Sequence, residues 1–389
     1  MEQLYLYIHI PFCKSKCPYC NFYSVEELSL MDLYLETLIE EIRLYSEFID
    51  FHKLQSIYLG GGTPSLLLPE HLKEIFTLFP VKDNMEITIE TNPESLSYEK
   101  LKFYKEAGIN RLSVGIQSIL DKNLITLGRN HRTEEIYKIL DLIDRRDFSN
   151  MSLDFIYNIP GQTMEDLEKE FDFIRTYNPK HISFYGLLVE EKTAFFNLYK
   201  EEKEDDLYGN MYLKISKELK ELRYEHYEIS NFCKEGYTCR HNQSYWNFSE
   251  YLGLGPSAAS YINGERFKNP DSITDYINNI KNKKLSITEP EKRDERDILL
   301  ERIFLGLRTN SGLNLSELSV KYNFNIPDVM TKISEYIPAD LWYFRDNSIF
   351  LTAEGFLSSN TIILEINNII SDKNLTDFTF KAGYNRTTI

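Results

Sequence analysis

The sequence predicts an α/β fold: a partial (β/α)6 barrel with an open side, followed by a mostly helical C-terminal domain. Three observations lead to this fold class. From residue 4 to about residue 222, a short apolar run followed by a loop and an amphipathic stretch recurs six times. Full crossovers between such runs favour a parallel sheet with helices outside it. Six units are fewer than the eight of a closed barrel, and the pattern changes after residue 222.

Apolar and β-branched residues mark the six predicted strands, which end at loops rich in glycine and polar residues. The predicted strands are 4–10, 55–60, 86–91, 111–116, 151–157 and 181–188. Apolar residues at helical spacing predict helices near 29–49, 68–78, 96–107, 133–146, 164–176 and 203–222. Active residues of such sheets lie at the carboxyl ends of the strands, so we expect a site in the loops that follow them.

The sequence predicts three parts: a barrel over 1–222, an extension over 223–290, and a C-terminal domain over 291–389. In the extension we expect one strand at 224–232, a Tyr- and Gly-rich loop region at 233–264 and a polar linker at 278–295. The last domain is expected to resemble a winged helix, with a hairpin at 341–352 and helices at 296–309, 314–322, 326–336 and 353–370. Its polar end is expected to be a loose tail.

Composition indicates a cytoplasmic globular protein that does not bind nucleic acid. The chain has 389 residues, of which 42% are hydrophobic, and a formal net charge of −16. A long nucleic-acid contact needs basic patches, which disfavours DNA binding and a tRNA-modifying role. We find neither a secretory signal nor an apolar run of the roughly 18–20 residues that span a membrane. Five unevenly placed cysteines are no disulfide framework for this length, which indicates a reducing compartment.

Three cysteines, Cys13, Cys17 and Cys20, lie within eight residues directly after the first predicted strand. Their C-x3-C-x2-C spacing lets one loop present three thiolates to one metal centre. Three ligands leave one iron of a four-iron cluster free for a substrate or cofactor. A zinc site is the alternative, but zinc usually has a second, well-separated ligand pair, and none lies nearby. Three unligated thiols are the other alternative.

This motif, after strand one of a strand–helix repeat, resembles the radical S-adenosylmethionine (SAM) superfamily. The resemblance implies a [4Fe–4S] cluster on the three cysteines, with SAM chelating the open iron. It also implies chemistry by reductive cleavage of SAM to methionine and a 5′-deoxyadenosyl radical. YLGGGTPS (58–65) matches the turn that holds the methionyl amino group, which assigns Gly61, Gly62 and Thr63 to SAM. Tyr19 stands where the superfamily has an aromatic residue against the adenine.

Further motifs narrow the resemblance to the oxygen-independent coproporphyrinogen III oxidase group. They span residues 5 to about 260 and read YIHIPFC, GGGTP, ETNPES, RLSVGIQS, DFIYNIPGQT and YEISNF followed by CRHNQSYW. The remaining SAM contacts implied by these motifs are Tyr7, Glu90, Gln117, Arg129, Asp154 and Gly186. An arginine suits the methionyl carboxylate, and carboxylates and amides suit ribose hydroxyls. Each acid taken singly can instead cap a neighbouring loop.

Two departures separate this chain from the oxidases of the group. Phe22 stands where the oxidases have a fourth cysteine, and no long segment precedes the first strand. Both departures resemble the heme-chaperone branch, the HemW proteins, which bind heme and pass it to acceptor proteins. HNQSYW matches the signature of that branch and assigns to heme His241, Asn242, Tyr245 and Trp246. Alternatively, Cys239 is the axial ligand, or His241 and Asn242 only brace the loop.

The resemblance therefore implies three cofactors, a [4Fe–4S] cluster, SAM and heme, in a protein that transfers heme to acceptor hemoproteins. The expected partners are those hemoproteins and a reductant for the cluster, with at most transient membrane association through an acceptor. Two enzymes are alternatives: the coproporphyrinogen III oxidase, and a radical SAM enzyme that modifies heme. The sequence leaves open whether SAM is cleaved or only bound, so no catalytic residue is assigned.

Overall fold

The computed structural model describes residues 3–146, 148–199, 205–285, 291 and 293–371. The chain forms two compact units, Met1–Lys292 and Arg293–Ile389. The predicted tail and part of the predicted linker lie outside the described residues. The finer predicted boundary at residue 222 falls inside the first unit and stays a prediction.

Six parallel strands form the barrel, and their order in the sheet follows their order in the chain. They are β1 (Leu4–Ile10), β2 (Leu54–Gly61), β3 (Glu86–Thr91), β4 (Arg111–Gln117), β5 (Met151–Tyr157) and β6 (His181–Gly186). Every one begins within one residue of its predicted start. The predicted partial barrel is therefore confirmed.

Helices connect these strands, as crossovers between parallel strands require. They are α1 (Met31–Ser46), α2 (Pro69–Phe76), α3 (Tyr98–Glu106), α4 (Asp121–Thr126), α5 (Thr133–Arg145), α6 (Met164–Tyr177), α7 (Ala194–Tyr199) and α8 (Asp205–Glu221). The sequence analysis did not predict α4 and α7. Both have six residues, which is too few for a helical period to be recognisable.

The barrel strands alternate between apolar and polar side chains. Along β4, for example, Leu112 and Val114 alternate with Arg111 and Ser113, and all four are buried. Since successive side chains of a strand point to opposite faces, one face of the sheet is apolar and the other is polar. The polar side chains bond to one another across strands, as the Ser113 hydroxyl does to Asp154 on β5 at 2.7 Å. The barrel interior is therefore a polar chamber.

The predictions for residues 224–264 were wrong in part. Instead of one strand and a loop, the chain forms β7 (Glu225–His226), β8 (Asn231–Cys233), α9 (Arg240–Trp246), β9 (Tyr251–Leu254) and β10 (Ala259–Ile262), followed by β11 (Glu265–Lys268) and α10 (Ile273–Lys281). β8 pairs with β6, and β9 pairs parallel with β1, so the sheet extends at both edges. Strands of two to four residues carry almost no periodicity, and pairing with an existing edge decides them.

The second unit is mostly helical with a small antiparallel sheet. Its elements are α11 (Glu295–Gly306), β12 (Leu313–Asn314), α12 (Leu315–Tyr322), α13 (Ile326–Tyr336), β13 (Trp342–Arg345), β14 (Ser348–Leu351), α14 (Ala353–Leu357) and α15 (Ser359–Ser371). The predicted hairpin is confirmed: Asp346 and Asn347 have φ of 50° and 59°, as a two-residue type I′ turn requires. The helix predicted over 353–370 is instead two helices. The winged-helix likeness stays a prediction.

Glu41 of α1 ties the first helix to the extension of the sheet. Its carboxylate accepts hydrogen bonds from Gly255 N (2.8 Å), Asn269 Nδ2 (2.6 Å) and the Tyr276 hydroxyl (2.7 Å). Burial nevertheless raises the pKa of Glu41 to about 7. The folded protein therefore binds a proton here that the unfolded chain releases near its ordinary pKa of about 4.3. Proton binding by Glu41 therefore stabilises the folded state fully below a pH of about 4.3, and this contribution is lost as the pH rises through 7.

Glu41→Gln is expected to flatten the pH dependence of stability, because glutamine cannot ionise. Between about pH 5 and about pH 8, the free energy of unfolding should fall by roughly 2–3 kcal/mol less than in the wild type. Urea denaturation followed by circular dichroism measures this difference. Glu36→Gln, an exposed change on the same helix, is the control. An equal pH dependence in Glu41→Gln and wild type would contradict the assignment.

Candidate functional site

The loop that carries the three predicted metal ligands is anchored at both ends. Cys13 N donates to Val25 O at 3.0 Å, and Val25 N donates to Pro11 O at 2.6 Å, which closes the base of the loop. Within it, Cys20 N donates to Cys17 O at 3.0 Å and turns the chain back. All three thiols are partly exposed. The cysteines thus lie on one fixed, accessible loop at the carboxyl end of β1.

The thiols of this loop are of the kind that can bind a metal cluster. Burial raises the pKa of Cys13 and Cys20, so a bound cation is needed to hold them as thiolates at neutral pH. Thiolates are the ligands of iron–sulfur clusters and of zinc. In the described part of the chain, no group of three His, Cys, Asp or Glu side chains is arranged so that it could hold a single metal ion. In a cluster each cysteine binds a different iron, so the ligands do not converge on one point.

Arg129, which follows α4, reaches the cysteine loop. Its Nη1 lies 3.3 Å from Cys17 Sγ, and its Nη2 donates to Asn92 Oδ1 at 2.6 Å. The side chain is 8% exposed, and its Nε has no hydrogen-bond partner among the described residues. Gln117 Oε1, at the end of β4, is also buried and unpaired within the described part of the chain, and Gln117 has a strained φ of 58°. Unpaired buried polar atoms on strained backbone are typical of a ligand site.

The turn after β2 packs directly against the cysteine loop. Gly62 N donates to Ile10 O and Thr63 N to Phe12 O, both at 2.8 Å. A Cβ on Gly62 would lie 2.6 Å from Phe12 O, and Gly61 has a φ of 110°. Side chains are therefore excluded here. The turn presents backbone groups next to the thiols, which fits the SAM contacts predicted at Gly61, Gly62 and Thr63.

Two predicted SAM contacts, Glu90 and Asp154, are carboxylates held in place by donors. Glu90 accepts from the Tyr58 hydroxyl (2.9 Å) and from Gly61 N (3.1 Å), and burial raises its pKa to about 7. Asp154 accepts from three serine hydroxyls, each at 2.7 Å, on β4, β5 and β6: Ser113, Ser152 and Ser183. Both side chains face the polar chamber in fixed orientations.

The remaining predicted SAM residues lie around the same chamber. The Tyr7 hydroxyl bonds to His9 Nδ1 at 3.0 Å, and Tyr19 packs edge-on against Phe195 of α7 with ring centroids 6.2 Å apart. Gly186 is tightly enclosed, because a Cβ there would lie 2.5 Å from the Tyr208 ring. The structure thus distributes the predicted SAM contacts over all six barrel strands and the loops after them, with Tyr7 and Asp154 in the middle of their strands. Their role in binding SAM stays a prediction.

The residues predicted to bind heme lie on α9, and the His241 ring centroid is 6.4 Å from that of Tyr7. His241 is 1% exposed; its Nδ1 bonds to the Ser56 hydroxyl at 2.7 Å and its Nε2 to the Tyr245 hydroxyl at 2.9 Å. Burial lowers the pKa of His241 to about 3. Ser56 precedes Gly61 on β2 by five residues, about 16 Å at 3.3 Å per residue. α9 therefore packs near the amino ends of the strands, away from the cysteine loop.

This geometry favours the alternative in which His241 braces its loop, because axial ligation would break one of its two hydrogen bonds. Cys239, the second candidate ligand, is fully buried with Sγ 3.5 Å from Glu86 Oε1. Trp246 is 8% exposed. Heme binding by His241, Asn242, Tyr245 and Trp246 stays a prediction.

Sequence reasoning missed the residues that support the site, namely Tyr58, Asn92 and the three serines around Asp154. The serines had a readable signal: Ser113, Ser152 and Ser183 recur at inward-facing positions of three successive strands. The sequence carries no comparable signal for Asn92, because its hydrogen bond with Arg129 joins residues 37 positions apart.

Comparisons with known proteins agree with this geometry. Residues 7–174 match the model of the radical SAM superfamily, and residues 294–358 match that of the HemN C-terminal domain. The heme chaperone HemW of Bacillus subtilis is 33% identical over 371 residues, which cover 92% of this chain and 97% of that protein. The HemW of Lactococcus lactis is 32% identical over 372 residues, 92% of this chain and 95% of its own.

Among solved structures, the radical SAM enzyme coproporphyrinogen III oxidase (HemN) of Escherichia coli superposes with a TM-score of 0.80. The superposition covers 94% of this chain and 90% of that enzyme at 20% identity, which establishes a shared fold.

No described helix is long and apolar enough to cross a membrane.

Proposed function

Since this chain belongs to the heme chaperone HemW family of radical SAM proteins, we propose that it binds heme and transfers it to acceptor hemoproteins. The observation that carries the proposal is the match to proteins of that name over nearly the whole length of the chain. Phe22, at the position of the fourth cysteine of the oxidases, supports the same function.

We propose that Cys13, Cys17 and Cys20 hold a [4Fe–4S] cluster and that the chamber beside them binds SAM. The polar donors and acceptors there support this, as does the side-chain-free turn at Gly61 and Gly62. When bound, these cofactors supply one-electron reductive cleavage of SAM. The chain itself orients the ligand through Arg129, which is 8% exposed, and through the carboxylates that the serines and Tyr58 hold in place.

The proposed setting is the cytoplasm, where thiols stay reduced. The proposed partners are a reductant for the cluster and the hemoproteins that receive heme, and contact with a membrane is limited to acceptors that reside there.

The test uses full-length protein, purified anaerobically with its cluster reconstituted and supplied with SAM and a reductant. Heme or coproporphyrinogen III is then added, and spectra and products are followed. We expect stoichiometric uptake of heme, its release to an added apo-hemoprotein, and no protoporphyrinogen. Repeated conversion of coproporphyrinogen would establish the oxidase instead. Loss of the heme spectrum with SAM consumption would establish a heme-modifying enzyme.

A further inference from the structure

We propose that His241 is a positioning residue of the SAM site: it holds Tyr58, and Tyr58 in turn holds Glu90 against the glycine turn. The signature helix α9 would then serve the SAM site and not ligate heme through His241. This inference rests on the proposed function, because it takes Glu90 and Gly61 to be contacts of SAM.

The first link fixes α9 to the barrel. Glu86, the first residue of β3, accepts hydrogen bonds from the backbone N–H groups of Arg240 and His241, each at 3.0 Å. Arg240 Nη1 also donates to Asn84 O at 2.8 Å. A carboxylate that accepts the first free N–H groups of a helix stabilises that helix end. His241 is thereby held at a defined position below the chamber.

The second link is the contact between His241 and Tyr58. The two rings stack with centroids 5.0 Å apart and an interplanar angle of 26°. Ser56 and Tyr245 hold the two imidazole nitrogens, so the ring cannot rotate without breaking a hydrogen bond. Ser56 and Tyr58 are two residues apart on β2 and face the same side. The imidazole therefore forms a fixed wall against one face of the Tyr58 ring.

The third link connects Tyr58 to the SAM site. The Tyr58 hydroxyl donates to Glu90 Oε1 at 2.9 Å, and Glu90 Oε2 accepts from Gly61 N at 3.1 Å. A Cβ on Gly60 would lie 3.0 Å from the Tyr58 ring, so the backbone just before the turn also packs against this ring. The position of the carboxylate thus depends on the tyrosine, and the tyrosine depends on the imidazole.

The contribution of the Tyr58 hydroxyl can be measured through the pKa of Glu90. Burial raises the pKa of Glu90 to about 7, and Asp154 adds to the rise. The Tyr58 hydroxyl, Gly61 N and Arg111 lower it. The hydroxyls of Tyr7, Tyr58, Tyr185 and Tyr245 are the other titratable groups that face this carboxylate. Removing the Tyr58 hydroxyl takes away a donor, so a larger fraction of Glu90 becomes protonated at neutral pH.

The test compares SAM affinity in Tyr58→Phe and wild type, both with the cluster reconstituted, by equilibrium dialysis between about pH 6 and pH 9. The variant loses the hydrogen bond from the Tyr58 hydroxyl to the Glu90 carboxylate, and this loss should weaken SAM binding about tenfold near neutral pH. The midpoint of the pH dependence should also move to higher pH, which a merely looser fold would not produce. Tyr104→Phe is the matched control, because Tyr104 is buried and its hydroxyl has no hydrogen-bond partner among the residues that the structure describes.

A second variant, His241→Phe, separates positioning from heme ligation. It keeps an aromatic ring but loses both hydrogen bonds, so SAM binding should weaken severalfold while heme affinity and spectrum stay unchanged. The reverse result would make His241 a heme ligand and overturn the inference. Wild-type SAM affinity and pH midpoint in Tyr58→Phe would overturn it as well. If the wild type itself binds no SAM, the proposed function fails and the inference fails with it.

Discussion

Cys17→Ala is expected to abolish the visible absorbance of the reconstituted iron–sulfur cluster while the chain stays folded. Cys17 lies in the middle of the anchored loop, and its Sγ is the one nearest to Arg129. The side chain is only partly buried, so its loss costs little packing. Two thiolates would remain, which is fewer than a stable four-iron cluster requires. Iron content, absorbance and circular dichroism together measure the outcome.

Cys233→Ala is the matched control for this experiment. Cys233 is a buried thiol of β8, which pairs with β6, and its Sγ lies 3.4 Å from the Thr238 hydroxyl. Its replacement should leave the cluster intact. Retention of a full four-iron cluster by Cys17→Ala would refute the proposed ligand set, and loss of the cluster in both variants would point to a general folding defect.

Arg129→Ala is expected to lower SAM affinity by about 10- to 100-fold. A charge-assisted hydrogen bond contributes roughly 1.5–3 kcal/mol, and Arg129 is a buried cation whose Nη1 lies 3.3 Å from Cys17 Sγ. The cluster should still assemble, because all three cysteines remain. Equilibrium dialysis with labelled SAM measures the affinity, and absorbance confirms the cluster.

The matched control is Arg145→Ala, which removes an exposed arginine from α5 whose partner is Asp141. Surface pairs of this kind contribute about 0–1 kcal/mol, so neither SAM affinity nor the cluster should change. An unchanged SAM affinity in Arg129→Ala would remove Arg129 from the site and leave it a structural link between Cys17 and Asn92.

Much of this site can be read from the sequence because its parts are local. The three thiols occupy one loop, and the glycine turn is contiguous with β2. The carboxylates Glu90 and Asp154 lie on strands whose limits were predicted correctly. Parallel strands bring their carboxyl ends to one edge, so the limits of β3 place Glu90 there, whereas Asp154 lies in the middle of β5 and was assigned through the family resemblance.

The role of His241 on α9, by contrast, cannot be decided from the sequence. The sequence places His241 in an aromatic segment, which by itself is more typical of a structural histidine; only the family resemblance raises a heme ligand to equal weight. The tertiary structure adds Ser56, which lies 185 positions away in the chain, and the stack on Tyr58. No local pattern can report a hydrogen bond between residues so far apart, since its formation depends on how the whole barrel closes.

The sequence alone determined the strand–helix order and the cysteine loop, because periodicity and spacing are properties of neighbouring residues. Only the tertiary structure decided which buried groups meet: Arg129 with Cys17 and Asn92, Asp154 with three serines, and Glu86 with the start of α9. It also decided that β9 joins the sheet beside β1. The physical reason is that a buried polar group must find its partner wherever the fold supplies one, and that partner is set by packing across the chain.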